Sequence, residues 1–121
     1  MINLNGKKYV CPVDVTLGLI GGKWKLLILS YLHWNGAKSY SEIRSNLIDV
    51  SEKMLSQQLK QLESDKLIEK NIISEKPYRV EYFLTIEGKS LSSVYDTISQ
   101  WGINYLEKNG INYLKDQNLY K

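Results

Sequence analysis

Few residues in this chain have chemistry to offer, and the first is its only cysteine, Cys11, set directly before Pro12 in the stretch YVCPVDVTLGLIGGKW over residues 9–24. A thiol reacts as the thiolate, so its use depends on the charge around it. Proline suits the first position of a helix, which puts Cys11 at or just outside the N-cap, near the free amides of Val13 and Asp14 and the positive helix end. Lys7 and Lys8 add positive charge if the preceding arm folds back, whereas the Asp14 carboxylate competes for the same amides. The local field is therefore mixed. A small packed residue and a redox- or electrophile-sensing thiol are both open readings. Lacking a second cysteine, a sensing Cys11 must pair across a dimer, join a small thiol or form an adduct.

The second group lies between residues 51 and 61. Leu55, Leu59 and Leu62, helped by Met54, repeat at four and three, so one stripe of a helix is apolar. Ser51, Lys53, Ser56, Gln57, Lys60 and Gln61 fall elsewhere, and these are groups that reach base edges. Gln pairs with adenine N6/N7, and Lys with guanine O6/N7 or a phosphate. A solvated helix face would also be polar, but here Glu52 is the one acid of the first three turns, and Glu63 and Asp65 come at the far end. Ser39, Arg44, Lys70, Lys76 and Arg79 read as contacts to a nucleic-acid backbone, each adding to a salt-dependent attraction.

Other chemistries are poorly supplied. Gly18-Leu-Ile-Gly-Gly-Lys-Trp resembles a phosphate loop only superficially, since that motif needs Gly where Leu17 stands and Ser or Thr where Trp24 stands. A single histidine, His33, and a single cysteine make no zinc cluster. No enzyme, metal or cofactor is expected. The start, Met1-Ile-Asn-Leu-Asn-Gly-Lys-Lys, lacks the apolar stretch of a signal peptide. The longest charge-free run, Leu26 to Ala37, is shorter than the roughly 18 to 20 residues of a membrane span, so no membrane association and a cytoplasmic location are expected.

The elements that must hold these residues can be read from the apolar periodicity. At 121 residues one domain is expected. Val13, Leu17 and Ile20 mark a first helix. Gly21-Gly22 breaks it, and a largely buried second helix from Lys23 runs out near Asn35-Gly36. Lys38-Ser-Tyr is a short extended piece. Ser41 or a neighbour caps a third helix with Ile43 and Leu47 inward, and Ser51 caps the fourth. Two strand-like runs, Leu67 to Ile73 and Arg79 to Thr85, flank Ser74-Glu-Lys-Pro-Tyr as a hairpin. A last long helix from near Ile86 carries Leu91, Val94, Ile98, Trp101 and Tyr105 at three and four, the seam of a helix packed on another. This order predicts a mainly α fold with a small β-hairpin: a winged helix-turn-helix with terminal dimerisation helices. The expected divisions are an arm over 1–10, the domain over 11–109 and a tail over 110–121. The nine tyrosines and three tryptophans could line an effector pocket, although Trp24, Trp101 and Tyr105 sit at seam positions where packing is the commoner role.

The segments CPVDVTLGLIGGKWKLLIL, SYSEIRSNL, SEKMLSQQLKQLESDKLIEK and PYRVEYFLTIEGKSL, with the late Trp101-Gly102, resemble in that order the HxlR family of bacterial transcription regulators, relatives of the MarR group. The resemblance covers roughly residues 10 to 108. It implies a dimeric regulator of double-stranded DNA, a recognition helix at about Ser51 to Ser64, a wing at about Ile68 to Leu84, and dimerisation through the terminal helices. Some members of the family sense oxidants, quinones or other electrophiles through a cysteine at the position of Cys11 and many carry the same Cys-Pro pair without that role, so the resemblance admits, without requiring, an oxidant, a quinone or another small molecule as effector. A repressor acting on a pseudo-palindromic operator is expected, with a ligand-controlled regulator bearing a structural cysteine, or a protein-binding adaptor, as the other readings. The chain departs from the family at Ser39-Tyr40, commonly Arg-Phe, and at Lys66, commonly Gly, where a positive backbone angle is expected.

Overall fold

The structure, a computed structural model, describes residues 1–114, so the end of the expected 110–121 tail lies outside the described residues. The arm, for which the sequence reading gave no secondary structure, is an antiparallel hairpin, β1 (Ile2–Leu4) and β2 (Lys7–Tyr9). Its turn is Asn5-Gly6, both at positive φ, the pair that two-residue hairpin turns favour. The Tyr9 ring lies over Gly18, where any Cβ would crowd it. Helix α1 (Pro12–Ile20) follows and stops at Gly21, and α2 (Trp24–Asn35) leaves it at 78°. Among the described residues no single helix is long and apolar enough to cross a membrane.

Strand β3 (Lys38–Ser39) leads into α3 (Tyr40–Asn46). The N-cap of α3 is Ser39, with Ser41 at the second position of the helix. The Ser39 hydroxyl accepts from the Glu42 amide at 3.2 Å, and the Glu42 carboxylate accepts from the Ser39 amide at 3.0 Å, a reciprocal capping box. Ser51 likewise caps α4 (Glu52–Ser64), accepting from the Met54 amide at 3.0 Å. Helix α4 ends at Ser64, and two residues on Lys66 has a φ of +59°, the left-handed conformation expected there.

Strands β4 (Ile68–Glu75) and β5 (Tyr78–Leu84) form the wing through Lys76-Pro77, a tighter connection than the five residues expected. β5 is central in a three-stranded antiparallel sheet of order β3-β5-β4, with Lys38 opposite Tyr82 and Ser39 opposite Glu81. β3 is the short extended piece expected at Lys38-Ser39, here paired with β5.

The expected single helix from Ile86 is two. Thr85 caps the short α5 (Ile86–Lys89), and the chain turns at Ser90-Leu91 before α6 (Ser92–Lys108). Gly88 inside α5 packs so closely on the Leu67 carbonyl that a Cβ could not fit, and its own carbonyl accepts from the buried Tyr95 hydroxyl at 2.9 Å, which links α5 to α6. The Thr85 hydroxyl donates to the Lys66 carbonyl at 2.6 Å, joining α5 to the exit of α4.

The core joins Ile28, Leu29 and Leu32 of α2, Ile43 and Leu47, the α4 stripe Leu55, Leu59 and Leu62, Ile68 and Leu84 of the wing, and Tyr95 of α6. Each such aliphatic side chain contributes about 1.5–3 kcal/mol on full burial.

Two stability measurements check this account. Replacing Lys66 by Gly relieves the left-handed backbone and should raise stability by about 1 kcal/mol in denaturant titration; a loss would mean that the position is not strained. Burial pushes the Tyr95 hydroxyl up to about 12, so the fold favours the neutral phenol. Stability from this source is complete below the unfolded value near 10 and is lost as pH rises toward 12. Tyr95→Phe should lower stability at pH 7 by about 1 kcal/mol by removing the buried side-chain hydrogen bond to the Gly88 carbonyl, which keeps the Leu91 amide, and should flatten the alkaline limb. An unchanged alkaline limb would contradict the burial of this hydroxyl.

Candidate nucleic-acid interface

Because α4 turns Leu55, Leu59 and Leu62 inward, the helical period leaves Ser51, Lys53, Ser56, Gln57, Lys60 and Gln61 exposed on the rest of its surface. These side chains lie on the surface of α4, away from its buried stripe, as the apolar period predicts. Among the described residues no ion pair engages Lys53 or Lys60, nor Lys70 and Lys76 on the wing, so these four cations are available to an external anion.

The two arginines are different. Arg44 of α3 donates to the Glu52 carboxylate at the first residue of α4, Nη1 to Oε1 2.8 Å. Arg79 of β5 lies 3.4 Å from both Glu42 of α3 and Glu81 of its own strand. Solvent-exposed pairs such as those of Arg79 are weak enough for a phosphate to compete. Glu42 is the hub. The Ser39 amide, then the Ser39 hydroxyl, and then the charges of Lys38 and Arg79 hold its carboxyl below the usual glutamate value. One side chain thus closes the start of α3 and ties that helix to the wing.

Ser39 itself is a correction. Expected at the DNA backbone, it is only 7% exposed, and its hydroxyl is engaged by the cap, so it positions α3 while Ser41 takes the exposed place beside it. Between α3 and the wing lies a cleft of about 450 Å³ bordered by Tyr40, Ser41, Lys70 and Arg79. The Tyr40 hydroxyl donates to the Glu52 carbonyl at 3.3 Å and lies 3.4 Å from the Ser56 hydroxyl, which fixes the front of α4 against α3. The sequence reading assigned no role to Glu42, Tyr40 or Glu81. The spacing Ser39-x-x-Glu42 announces the capping box, but nothing in sequence shows that Tyr40 crosses to α4.

Elsewhere, Cys11 is the N-cap of α1, half-buried and with no side-chain cap hydrogen bond. Asp14 turns back to accept from the Val10 amide at 2.9 Å. The apolar residues Val13 and Leu17 of α1 are 65% and 60% exposed, and Trp101 of α6 is 68% exposed and stacks on Tyr105 at 5.2 Å. The expected seam is therefore split. Leu91 and Val94, at the start of α6, pack against the core of this chain, whereas Ile98, Trp101 and Tyr105 face outward. An apolar cavity of about 410 Å³ lies between α2 and α6, bordered by Leu26, Leu27, Trp34, Ile98, Ile103 and Leu106.

Comparison with known proteins fits this geometry. The profile of the HxlR-like helix-turn-helix family matches residues 19–110. The uncharacterized HTH-type transcriptional regulator YtcD of Bacillus subtilis (strain 168) is 40% identical over 102 residues, spanning 84% of this chain and 80% of that protein. Among solved structures, the redox regulator HypR in its oxidized form superposes with a TM-score of 0.70 at 37% identity, over 76% of this chain and 94% of that one. Quinone-bound YodB from B. subtilis gives 0.64 at 31% identity, over 77% and 97%. The chain belongs to the HxlR-like helix-turn-helix family and is a transcriptional regulator built on a helix-turn-helix DNA-binding fold.

Proposed function

We propose that this regulator acts in the cytoplasm as a homodimeric repressor on a pseudo-palindromic operator, with α4 in the major groove and the wing along the adjacent backbone. The observation that carries the reading is the two-sided character of α4: Leu55, Leu59 and Leu62 buried, with Lys53, Ser56, Gln57, Lys60 and Gln61 exposed opposite them. Recognition helices of this fold class present such side chains to base edges. Gln57 and Gln61 are the candidates for direct readout, whereas Lys53, Lys60, Lys70 and Lys76 neutralise phosphates, joined by Arg79 when it exchanges its carboxylate partners for DNA, while Arg44 adds its charge beside the backbone from its place on Glu52.

The dimer follows from what a single chain leaves uncovered. Val13, Leu17, Ile98, Trp101 and Tyr105 expose apolar surface on the terminal helices, the kind of surface that burial against a second copy would remove from water. Two recognition helices related by a two-fold axis would occupy successive major grooves and cover a promoter.

Control by oxidants or quinones through Cys11 is supported by its half-buried place at a helix start and by the similarity to a redox regulator and to a quinone-bound one. With one cysteine in the chain, the chemistry must join two subunits, capture a small thiol or add an electrophile. A second reading rests on the cavity between α2 and α6, whose volume and apolar lining suit a small organic effector.

In gel-shift titrations on the DNA flanking its own gene, Gln57→Ala should relax base preference at one position of each half-site by about 1–3 kcal/mol. Lys76→Ala should weaken binding to all sequences and reduce the log-log salt slope by about 1. Uniform loss from the Gln57 change would remove it as a base reader. Trp101→Glu should yield a monomer in sedimentation and lose operator affinity, and a dimer that persists would place the interface elsewhere. Diamide or quinone should shift the affinity of wild type and leave Cys11→Ser unchanged. A response retained by Cys11→Ser would transfer effector control to the α2–α6 cavity.

A further inference from the structure

The acid at the front of the recognition helix is the group that DNA binding does not explain. Glu52 is the first residue of α4, its side chain is 73% exposed, and it stands among cations on a surface meant to meet a polyanion. A carboxylate there opposes binding to phosphates unless it has a donor to accept from. The structure prepares it for one. Arg44 holds Oε1 at 2.8 Å, which sets the side-chain rotamer and offsets its charge. The Tyr40 hydroxyl on the Glu52 carbonyl and the Ser51 cap fix its backbone. Among the described residues Oε2 has no hydrogen-bond partner.

We infer that Glu52 is a specificity-determining residue that accepts a hydrogen bond from the N4 amino group of a cytosine in each operator half-site, with Arg44 as its positioning residue. The inference rests on the DNA-binding reading above and adds to it the base that this position selects. The chemistry singles out cytosine. An ionised carboxylate only accepts, and the major-groove edges of guanine and thymine offer it acceptors alone. Adenine has the N6 donor, but its N7 acceptor lies beside it and repels the second oxygen. Cytosine presents N4–H without an adjacent acceptor on the same base. The N-terminal residues of recognition helices are those that reach base edges, which is where Glu52 stands.

The test is selection of binding sites from DNA randomised over the operator half-sites, using the full chain as wild type, E52Q and E52A, with circular dichroism to confirm that the variants fold alike. Wild type should select cytosine at one position per half-site by at least tenfold. E52Q should lose that preference and move toward adenine, which an amide can pair bidentately through N6 and N7. Replacing the selected cytosine by a pyrimidin-2-one nucleotide, which lacks the N4 amino group, should weaken wild type about tenfold and leave E52A unaffected. Two outcomes overturn the assignment alone: an E52Q profile identical to wild type, or E52Q binding every sequence more tightly by one common factor, which would make Glu52 merely repulsive to phosphates. A folded wild type that selects no sequence would overturn the underlying DNA-binding reading instead.

Discussion

The rest of the structure depends on burying one face of α4. Leu55, Leu59 and Leu62 meet Ile28, Leu29 and Leu32 of α2 and the inner side of the wing sheet, and this contact fixes the rotation of α4 about its own axis. With 3.6 residues per turn, that rotation alone decides that Lys53, Ser56, Gln57, Lys60 and Gln61 point outward. Binding chemistry is thus a by-product of core packing, and the core cannot be satisfied with α4 turned the other way. The ends of the helix are held as firmly. Ser51 caps its start, Tyr40 ties the first turn to α3, and the Lys66 carbonyl at its exit accepts from Thr85, just ahead of the short helix that leads into α6.

The charges on the exposed face divide into two kinds. Lysines of α4 and the wing have no carboxylate partner among the described residues, while both arginines are held by glutamates that bridge neighbouring elements. Glu42 joins α3 to the wing, and Glu52 joins α3 to α4. The protein therefore ties α3, α4 and the wing together through weak, solvent-exposed ion pairs. The apolar counterpart is on the terminal helices, where Val13, Leu17 and the Trp101–Tyr105 stack are left without cover in a single chain.

What sequence could show followed from how local each signal is. The α4 stripe, the Ser51 cap, the Gly21-Gly22 break and the positive angle at Lys66 all lie within a few residues of their cause, and the structure contains each of them. The hairpin of the arm was equally local, since Asn5-Gly6 between Ile2-Asn3-Leu4 and Lys7-Lys8-Tyr9 is a turn signal, but three-residue strands leave little alternation to read. Non-local features were out of reach. The extended piece at Lys38-Ser39 was legible but its pairing with β5 was not, and neither was the close approach of the Leu67 carbonyl to Gly88, some twenty residues apart in sequence. The pairing of Arg44 with Glu52 and of Arg79 with Glu42 is likewise invisible before the helices are placed. Periodicity put Leu91 and Val94 on the same seam as Trp101, since it reports a common face but not where along that face the core ends.

Hydroxyl-radical footprinting on operator DNA, with the number of chains per duplex counted by sedimentation, addresses the central claim most directly. The account predicts two chains per duplex and two protected backbone regions related by two-fold symmetry, their centres about one helical turn, roughly 34–36 Å, apart. A single protected region under one chain, or protection that follows no sequence, would contradict it.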